Sequence, residues 1–500
     1  DQNAAAVGQI ARRLDGIPLA LELAAVRSRG MTIEQIAARL DDRFRLLTGG
    51  SRTALPRQQT LRAAIDWSHD LLSQEERSLF RQLPVFAGSW TLEAAEGVTP
   101  AGELGSAQVA DLLLGLVEKS MVILDVSSGR YHMLETIREY ALERLREAGE
   151  EAELRGRHLN YYLALAEELD FGDGERWDTL QSLEREQDNL VAALRWCQHA
   201  EGGGEQALRM LQAMGVYYWN VTQQNALGFQ LAQQSLALAG AEARSPARCR
   251  ALIALGMAGY FVGHEAEARQ ALEQALSLAR ENDDSRGIVM AQHWLGGVFN
   301  ALGDEAAGLR LLDDALRLAK ELHFDFEVSG IQNDTAVALQ AAGKLDAAQA
   351  LYEESVANIP SPRTNPFTFL FTLNLAMVTL ERGNARRARE ILDGSLDLIG
   401  QGDPSILRRG FYSGLLVSSG LLAATGRWAH AARIYGAFEA ERERLGEPLD
   451  DMERQFIGPY MERARNELGE QAYQKAFDEG QRLSVADAFD QVRALLRSGE

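Results

Sequence analysis

Gly263, Gly303, Gly343 and Gly383 stand 40 residues apart, and each is followed by an alanine-rich, leucine-containing helical stretch. A fixed period of this size marks one supersecondary unit copied in tandem, because a single unit cannot bury its apolar face and must stack on its neighbours. The copies align beyond the glycine: Leu255-Gly256 with Leu295-Gly296, Ala268 with Gly308, Ala348 and Ala388, and Leu272 with Leu312, Tyr352 and Leu392. Each glycine falls between two helices, where a left-handed residue ends the first helix without a Cβ clash. The small residues predict close helix crossings, Gly256 against Ala268 and Gly296 against Gly308, while Leu272 and Leu312 fill the layer between units. The fold class expected is therefore mainly all-α, an α-solenoid.

The small residue on the first helix, the turn glycine, the alanine opening the second helix, the large apolar residue four on and Ala275 or Ala315 three further resemble the tetratricopeptide repeat. The likeness covers about residues 245–440, and the 40-residue period exceeds that family's 34. It implies a surface that binds proteins or peptides. In such an array the first helices line the concave face. Helical spacing then places Met257, Tyr260, Phe261, His293, Asn300, Asn333, Gln340, Leu373 and Met377 in a partner groove, where amides meet a peptide backbone and apolar groups its side chains. Packing against adjacent helices is the alternative for Met257 and Phe261. Tyr217-Tyr218-Trp219 reads as core packing, with a ligand shelf as the alternative.

The rest of the chain is organised around this array. Helices are expected over Ala4 to Arg29, broken at Asp15-Gly16-Ile17-Pro18, and after Thr32, whose capping-box partner is Gln35. Further helices are expected over Leu61 to Leu71, Ser73 to Gln82, Thr91 to Glu96 and Val109 to Glu118. Met121 to Val126 and Tyr131 to Met133, joined through Ser127-Ser128-Gly129, read as a hairpin. Helices followed by a two-stranded wing suggest a winged-helix domain. The layout is a helical remnant over 1–48, a winged helix over 49–150, bridging helices over 151–204, the solenoid over 205–440 and a helical cap over 441–500.

Gly16-Ile17-Pro18-Leu19-Ala20-Leu21 closely resembles the GLPLA segment of STAND-class signalling ATPases with an NB-ARC module. Arg43 to Gly50, Gln59 to Ser68, Pro84 to Gly88 and Leu134 to Ala141 resemble later segments of bacterial members in the same order. The tail from Ala432 to Ala488 is similar to the closing segment of long bacterial regulators and cyclase-linked ATPases. The resemblance implies that Pro18 lies against a nucleotide and that the winged helix acts as a regulatory lid. It also implies ADP or ATP with Mg for a longer protein, and leaves self-association on activation open. Eukaryotic relatives carry a Met-His-Asp triplet whose histidine reaches the phosphate. Here the aligned residues are Met133, Leu134 and Glu135, with His132 alongside, and leucine has no donor. No G-x-x-x-x-G-K-[ST] occurs in the 500 residues, so no catalytic residue and no cofactor are assigned to this chain, which is expected not to be an enzyme.

A formal charge of −21 argues against nucleic acid as a partner of this chain. The candidate recognition helix near Val109 to Glu118 has Asp111 and Glu118 but no arginine. Cys197 and Cys249 are the only cysteines, without metal-ligand spacing, so neither a disulfide framework nor a metal site is expected. No apolar run predicts a membrane partner and the composition suits the cytoplasm. Asp1 enters directly into a helical pattern, as in a piece of a longer polypeptide. Three readings follow: the sensing portion of a STAND-type regulator, whose nucleotide module acts on it in cis; a free-standing protein-interaction adaptor; and a winged-helix transcription factor.

Overall fold

The computed structural model describes residues 4–13, 61–99, 106–171, 179–359, 367–401, 408–445 and 451–497, with a few single positions between them. Pro18 and the 43–50 run lie outside the described residues. The chain divides into two compact units, residues 1–168 with 185–201, and residues 169–184 with 202–500. The segment expected to bridge, 151–204, is shared between them.

In the first unit the described helices are α1 (Ala4–Arg13), α2 (Leu61–Asp70), α3 (Gln74–Gln82), α4 (Leu92–Val98), α5 (Ser106–Glu118), α6 (Glu135–Ala148), α7 (Glu151–Leu169) and α9 (Gln187–Trp196); α8 (Leu180–Arg185) ends at the boundary. Local chemistry sets the helix starts. Ser73 and Glu76 close a capping box on α3, Thr91 accepts from the Ala94 amide at α4, and Thr32 and Gln35 exchange the two expected bonds at 3.1 and 3.2 Å. The hairpin forms from Ile123–Asp125 (β2) and Arg130–His132 (β3), turning at Gly129. A strand not anticipated, Ser89–Trp90 (β1), pairs antiparallel with β3, giving the order β1-β3-β2. Its register sets Ser89 opposite His132 and Trp90 opposite Tyr131.

The second unit is a stack of helix pairs. They are α10 (Gly203–Met214), its short continuation α11 (Tyr218–Val221) and α12 (Asn225–Leu236); α13 (Pro246–Phe261) and α14 (Glu265–Glu281); α15 (Ser285–Ala301) and α16 (Glu305–Glu321); α17 (Asp325–Ala341) and α18 (Leu345–Asn358); α19 (Phe367–Glu381) and α20 (Ala385–Gln401); and α21 (Arg408–Ala424) and α22 (Trp428–Leu445). Six pairs are thus present among the described residues. The glycines 263, 303, 343 and 383 have φ between +73° and +84°, as the period requires, and Gly426, which opens the turn of the last pair 43 residues on, has φ +77°. In the earliest pair Gln223 holds that turn at φ +58°. Gln223 lies 40 residues before Gly263, and its side-chain amide donates to the Asn220 carbonyl at 2.7 Å.

Within a pair, small residues set the helix spacing. A Cβ on Gly296 would lie 2.8 Å from Leu312 Cγ and 3.0 Å from the Gly308 carbonyl oxygen, so the Gly296–Gly308 crossing is as expected. Gly256 instead meets Leu272, and Gly259 is the residue facing Ala268 at 3.3 Å. Ser355 and Ser395 each donate to a first-helix carbonyl 26 residues earlier, Ser329 at 2.7 Å and Phe369 at 3.2 Å, so hydroxyls pin the crossing where Ala275 and Ala315 only pack. The tail forms α23 (Asp451–Leu468), α24 (Glu470–Gln481) and α25 (Val485–Arg497). It shares a core with the last two pairs: Phe456, Ile457, Met461, Phe489 and Val492 pack in one cluster with Leu380, Leu392 and Leu421.

Candidate functional site

Successive first helices of the stack are joined by polar contacts 41 residues apart, one more than the sequence period. Arg286 Nε pairs with Glu327 Oε1 at 2.9 Å, and His293 Nε2 lies 2.8 Å from Asp334 Oδ2. Asn374 donates to Asn333 Oδ1 at 3.1 Å, and Gln340 donates to Glu381 at 2.6 Å. The Gln340 oxygen accepts from the Tyr352 hydroxyl at 2.9 Å, and burial holds the Glu381 carboxyl above its usual range although the Gln340 bond pulls it down. These groups form a ladder across α15, α17 and α19. A buried amide that bonds on both sides fixes the register between helices, since any slip strands its donor or acceptor.

Beside the ladder lies a run of rings. Tyr260 and Phe261 approach Trp294 at 6.3 and 5.7 Å, and His293 stacks on Trp294 at 4.8 Å. Tyr217 lies 6.1 Å from Trp294, 5.1 Å from Phe326 and 5.9 Å from Phe367, and Phe326 meets Phe367 at 5.8 Å. Trp294, Phe326 and Phe367 belong to three successive first helices, so the Tyr217 ring spans them from outside their pairs.

The expected groove residues divide accordingly. Tyr260, Phe261 and His293 come together around Trp294. Asn333 and Gln340 are buried in the ladder and bonded to neighbouring helices, not to a free surface. Asn300 turns towards its own pair, where a Cβ on Gly308 would strike its amide. Met257 is fully buried, and Leu373 and Met377 lie in the cluster that holds Phe456, Ile457 and Met461 of α23. Met257 takes the packing alternative, and the place of Leu373 and Met377 on an open groove does not hold, because residues of α23 share their cluster and Tyr460 reaches the Leu380 carbonyl at 3.4 Å. Trp294, Phe326 and Phe367 were not anticipated. They interrupt the repeat: where Trp294 stands, the other units have Ala254, Asp334 and Asn374, and where His293 stands they have Ile253, Asn333 and Leu373.

In the first unit, the segment after Met121 leads through β3 to Met133, which is buried, and Leu134, which precedes α6. Glu135 is held by Arg138 at 2.8 Å. Sequence inspection missed the centre of this unit. Asn189 on α9 accepts from the Ala87 amide at 2.8 Å, donates to the Ser89 carbonyl at 2.9 Å and lies 3.3 Å from His158 Nε2. Arg130 on β3 pairs with Glu186 and donates to the Ser89 hydroxyl at 2.8 Å. Burial pushes the His158 imidazole down to about 4. The network ties α9 to the sheet, and only the polar residues at 186 and 189 beside apolar Leu190 and Val191 hint at it. Among the described residues no group of three His, Cys, Asp or Glu is placed to hold a metal. Cys197 and Cys249 are buried thiols that donate to the Ala193 and Ala275 carbonyls. No helix of the described residues is long and apolar enough to cross a membrane. Two surface depressions, on α14 and on α24, are lined by the side chains of single charged helix faces and offer no converging set.

Among known proteins, a family profile described as anaphase-promoting complex subunit 5 matches residues 241–305. A Mycobacterium tuberculosis protein with the provisional name of HTH-type transcriptional regulator is 40% identical over 306 residues, covering 58% of this chain and 34% of its own length, as is its Mycobacterium bovis counterpart. An uncharacterised M. tuberculosis protein is 45% identical over 150 residues, 29% of this chain and 38% of its own. The chain thus spans about a third of the length of these relatives. Solved structures similar to it include a STAND protein with a tetratricopeptide repeat sensor from Pyrococcus horikoshii, at TM-score 0.39 and 14% identity over 95% of this chain and 74% of that one. Another is the apo quorum sensor NprR from B. thuringiensis, at TM-score 0.39 and 14% identity over 78% and 99%.

Proposed function

We propose that this chain is the regulatory and sensing portion of a STAND-type signal-transduction regulator. The helix pairs receive a protein or peptide, residues 49–150 act as a winged-helix lid, and a nucleotide-binding module in cis carries the ADP or ATP with Mg. One observation carries the reading: first-helix positions that align in the repeat differ in chemistry, and the rings of Tyr260, Phe261, Trp294, Phe326 and Phe367 gather on successive first helices. Positions 253, 293, 333 and 373 are Ile, His, Asn and Leu, whereas the second-helix positions 272, 312, 352 and 392 keep large packing residues. The relative named as an HTH-type transcriptional regulator and the GLPLA-type resemblance agree with regulation.

Nucleotide contact is assigned to the module and not to the described residues, since Leu134 brings no donor to a phosphate. For the front unit a lid suits the surface better than DNA binding does. The exposed residues of α5 include Gln108, Asp111, Leu114 and Glu118, two acids and a leucine where a phosphate-facing helix needs cations. The test is ADP release from the complete protein, followed with a fluorescent ADP. Trp294→Ala in the array is expected to change the release rate by about 5-fold or more, the scale of an allosteric coupling. Failure to bind ADP, or a rate indifferent to the array, refutes the proposal; partner capture indifferent to nucleotide favours the adaptor.

A further inference from the structure

In the earliest pair the first helix is broken. The equivalent helices Pro246–Phe261, Ser285–Ala301 and Asp325–Ala341 run without interruption. Here α10 stops at Gly215, with φ +81°, and the four-residue α11 follows before Gln223 at φ +58°. The segment between these two left-handed residues carries Tyr217, Tyr218, Trp219 and Asn220, all buried. A helix of four residues is not stable by itself, so its position is held by what it touches. For Tyr217 that is the ring surface on α15, α17 and α19.

Two side chains of that ring surface, His293 and Trp294, carry unmet polar capacity, and two more unpartnered groups lie close to Phe367 in the chain. Trp294 Nε1, His293 Nδ1, Asn365 Nδ2 and Thr368 Oγ1 are buried atoms without a hydrogen-bond partner, in side chains at least nine-tenths buried. His293 and Trp294 belong to the ring cluster, and Asn365 and Thr368 flank Phe367 in the chain. The Asn365 oxygen is already used by the Phe367 amide at 2.9 Å. The Trp294 donor and the His293 nitrogen, which can accept or donate by tautomer, thus stand beside an aromatic seat. A peptide, with N–H and C=O alternating along its backbone and a ring on a side chain, satisfies such a set; a hydrocarbon satisfies none of it.

We propose that residues Gly215–Gln224 are an internal occupant of the ligand-receiving face, and that the incoming ligand is a peptide whose aromatic side chain replaces the Tyr217 ring among Trp294, Phe326 and Phe367. This rests on the reading of the array as a receiver and adds its seat, its ligand class and its closure. The two left-handed residues act as hinges about which α11 leaves. Displacement exposes the ring surface and lets the orphaned His293 and Trp294 groups bond to the peptide. Binding to a seat that is already filled weakens the apparent affinity by the fraction of molecules in which the seat is open.

The probe is a fluorescently labelled synthetic peptide of residues 213–224, titrated by anisotropy into this chain. Tyr217→Ala is expected to bind it about 10-fold or more tightly than the wild-type chain does, because the competitor is removed. Tyr217→Phe restores the wild-type value, a probe with alanine at the Tyr217 position does not bind, and Trp294→Ala abolishes the gain. Equal affinity of wild-type and Tyr217→Ala chains, or absence of binding to both, overturns the proposal. Should Tyr217→Ala lose its helical circular dichroism, hydrogen exchange of the wild-type chain decides. The amides of 218–222 are expected to exchange about 10-fold or more faster than those of 285–301, and equal protection overturns the hinge. If ADP release in the complete protein still responds to the array while the peptide assay fails, the seat is wrong and the sensor reading stands.

Discussion

Replacing Glu327 by leucine tests whether the ladder between first helices holds the stack in register. The Glu327 side chain is wholly buried, and Arg286 beside it is 19% exposed. Their 2.9 Å contact corresponds to a gross attraction of about 6 kcal/mol at an effective dielectric of 20. Burial of the two charges costs several kcal/mol, so the intact pair contributes little net stability. Breaking it is different. In Glu327→Leu the guanidinium loses this carboxylate and keeps the Phe324 ring at 4.5 Å. Removing one member of a buried pair costs about 3–5 kcal/mol, which the partial exposure of Arg286 lowers to about 2–3 kcal/mol. Replacing both, Arg286→Met with Glu327→Leu, is expected to return within about 1 kcal/mol of the wild-type chain. Native-state hydrogen exchange on the 285–301 and 325–341 peptides reads the local opening free energy without assuming one cooperative transition. A loss below about 0.5 kcal/mol in the single variant, or a double variant as weak as the single, refutes the reasoning.

Gly308→Ala places a Cβ against Asn300 and 2.8 Å from the Gly296 carbonyl oxygen, so a loss of about 1–3 kcal/mol in denaturant midpoint analysis is expected. Gly303→Ala, at φ +84°, is expected to lose about 1–2 kcal/mol in the same analysis, although its Cβ meets nothing within 4 Å. Asn189→Ala leaves the Ala87 amide and the Ser89 carbonyl without their partner and is expected to cost about 2–3 kcal/mol, read by exchange in the 87–90 strand. His158 supplies a pH signature: its folded value near 4 lies below the ordinary 6.5, so the unfolded chain takes up the proton first as pH falls. The stability is therefore complete above pH 6.5 and is lost between 6.5 and 4, by about 3 kcal/mol, and His158→Phe should flatten that slope in urea titrations.

What the sequence disclosed was the part of the structure that recurs. Glycines at a constant interval reveal the turn because each copy meets the same backbone demand, and the capping residues Ser73 with Glu76 and Thr32 with Gln35 disclose helix starts because their bonds are local. The solenoid was expected from 205, but the turn of its earliest pair lies outside the glycine series because Gln223 takes the left-handed turn with a side-chain bond to Asn220 instead of lacking a Cβ. β1 escaped because two residues, Ser89 and Trp90, carry no period, and their pairing with β3 is a contact across 41 residues. The site was legible only in part. Helical spacing put Tyr260, Phe261 and His293 on one side, where they meet Trp294, but it cannot tell a groove from a face that α23 packs, so Leu373 and Met377 were placed in the open, while Met257 takes the packing alternative. The 41-residue ladder was hidden because it follows the offset between neighbouring helices and not the repeat itself. Trp294 and Phe326 were visible only as exceptions to the repeat, which is where an array built on a common frame places what makes it particular.

The most direct test of the account uses reciprocity: if the array alters the nucleotide module, nucleotide must alter the array. Hydrogen exchange of the complete protein, compared between its ADP-bound form and a form holding a non-hydrolysable ATP analogue, reads this across residues 203–381. A change in protection at 215–224 and 285–301 is the predicted result. Identical exchange there in both nucleotide states, with nucleotide shown to be bound, would contradict it.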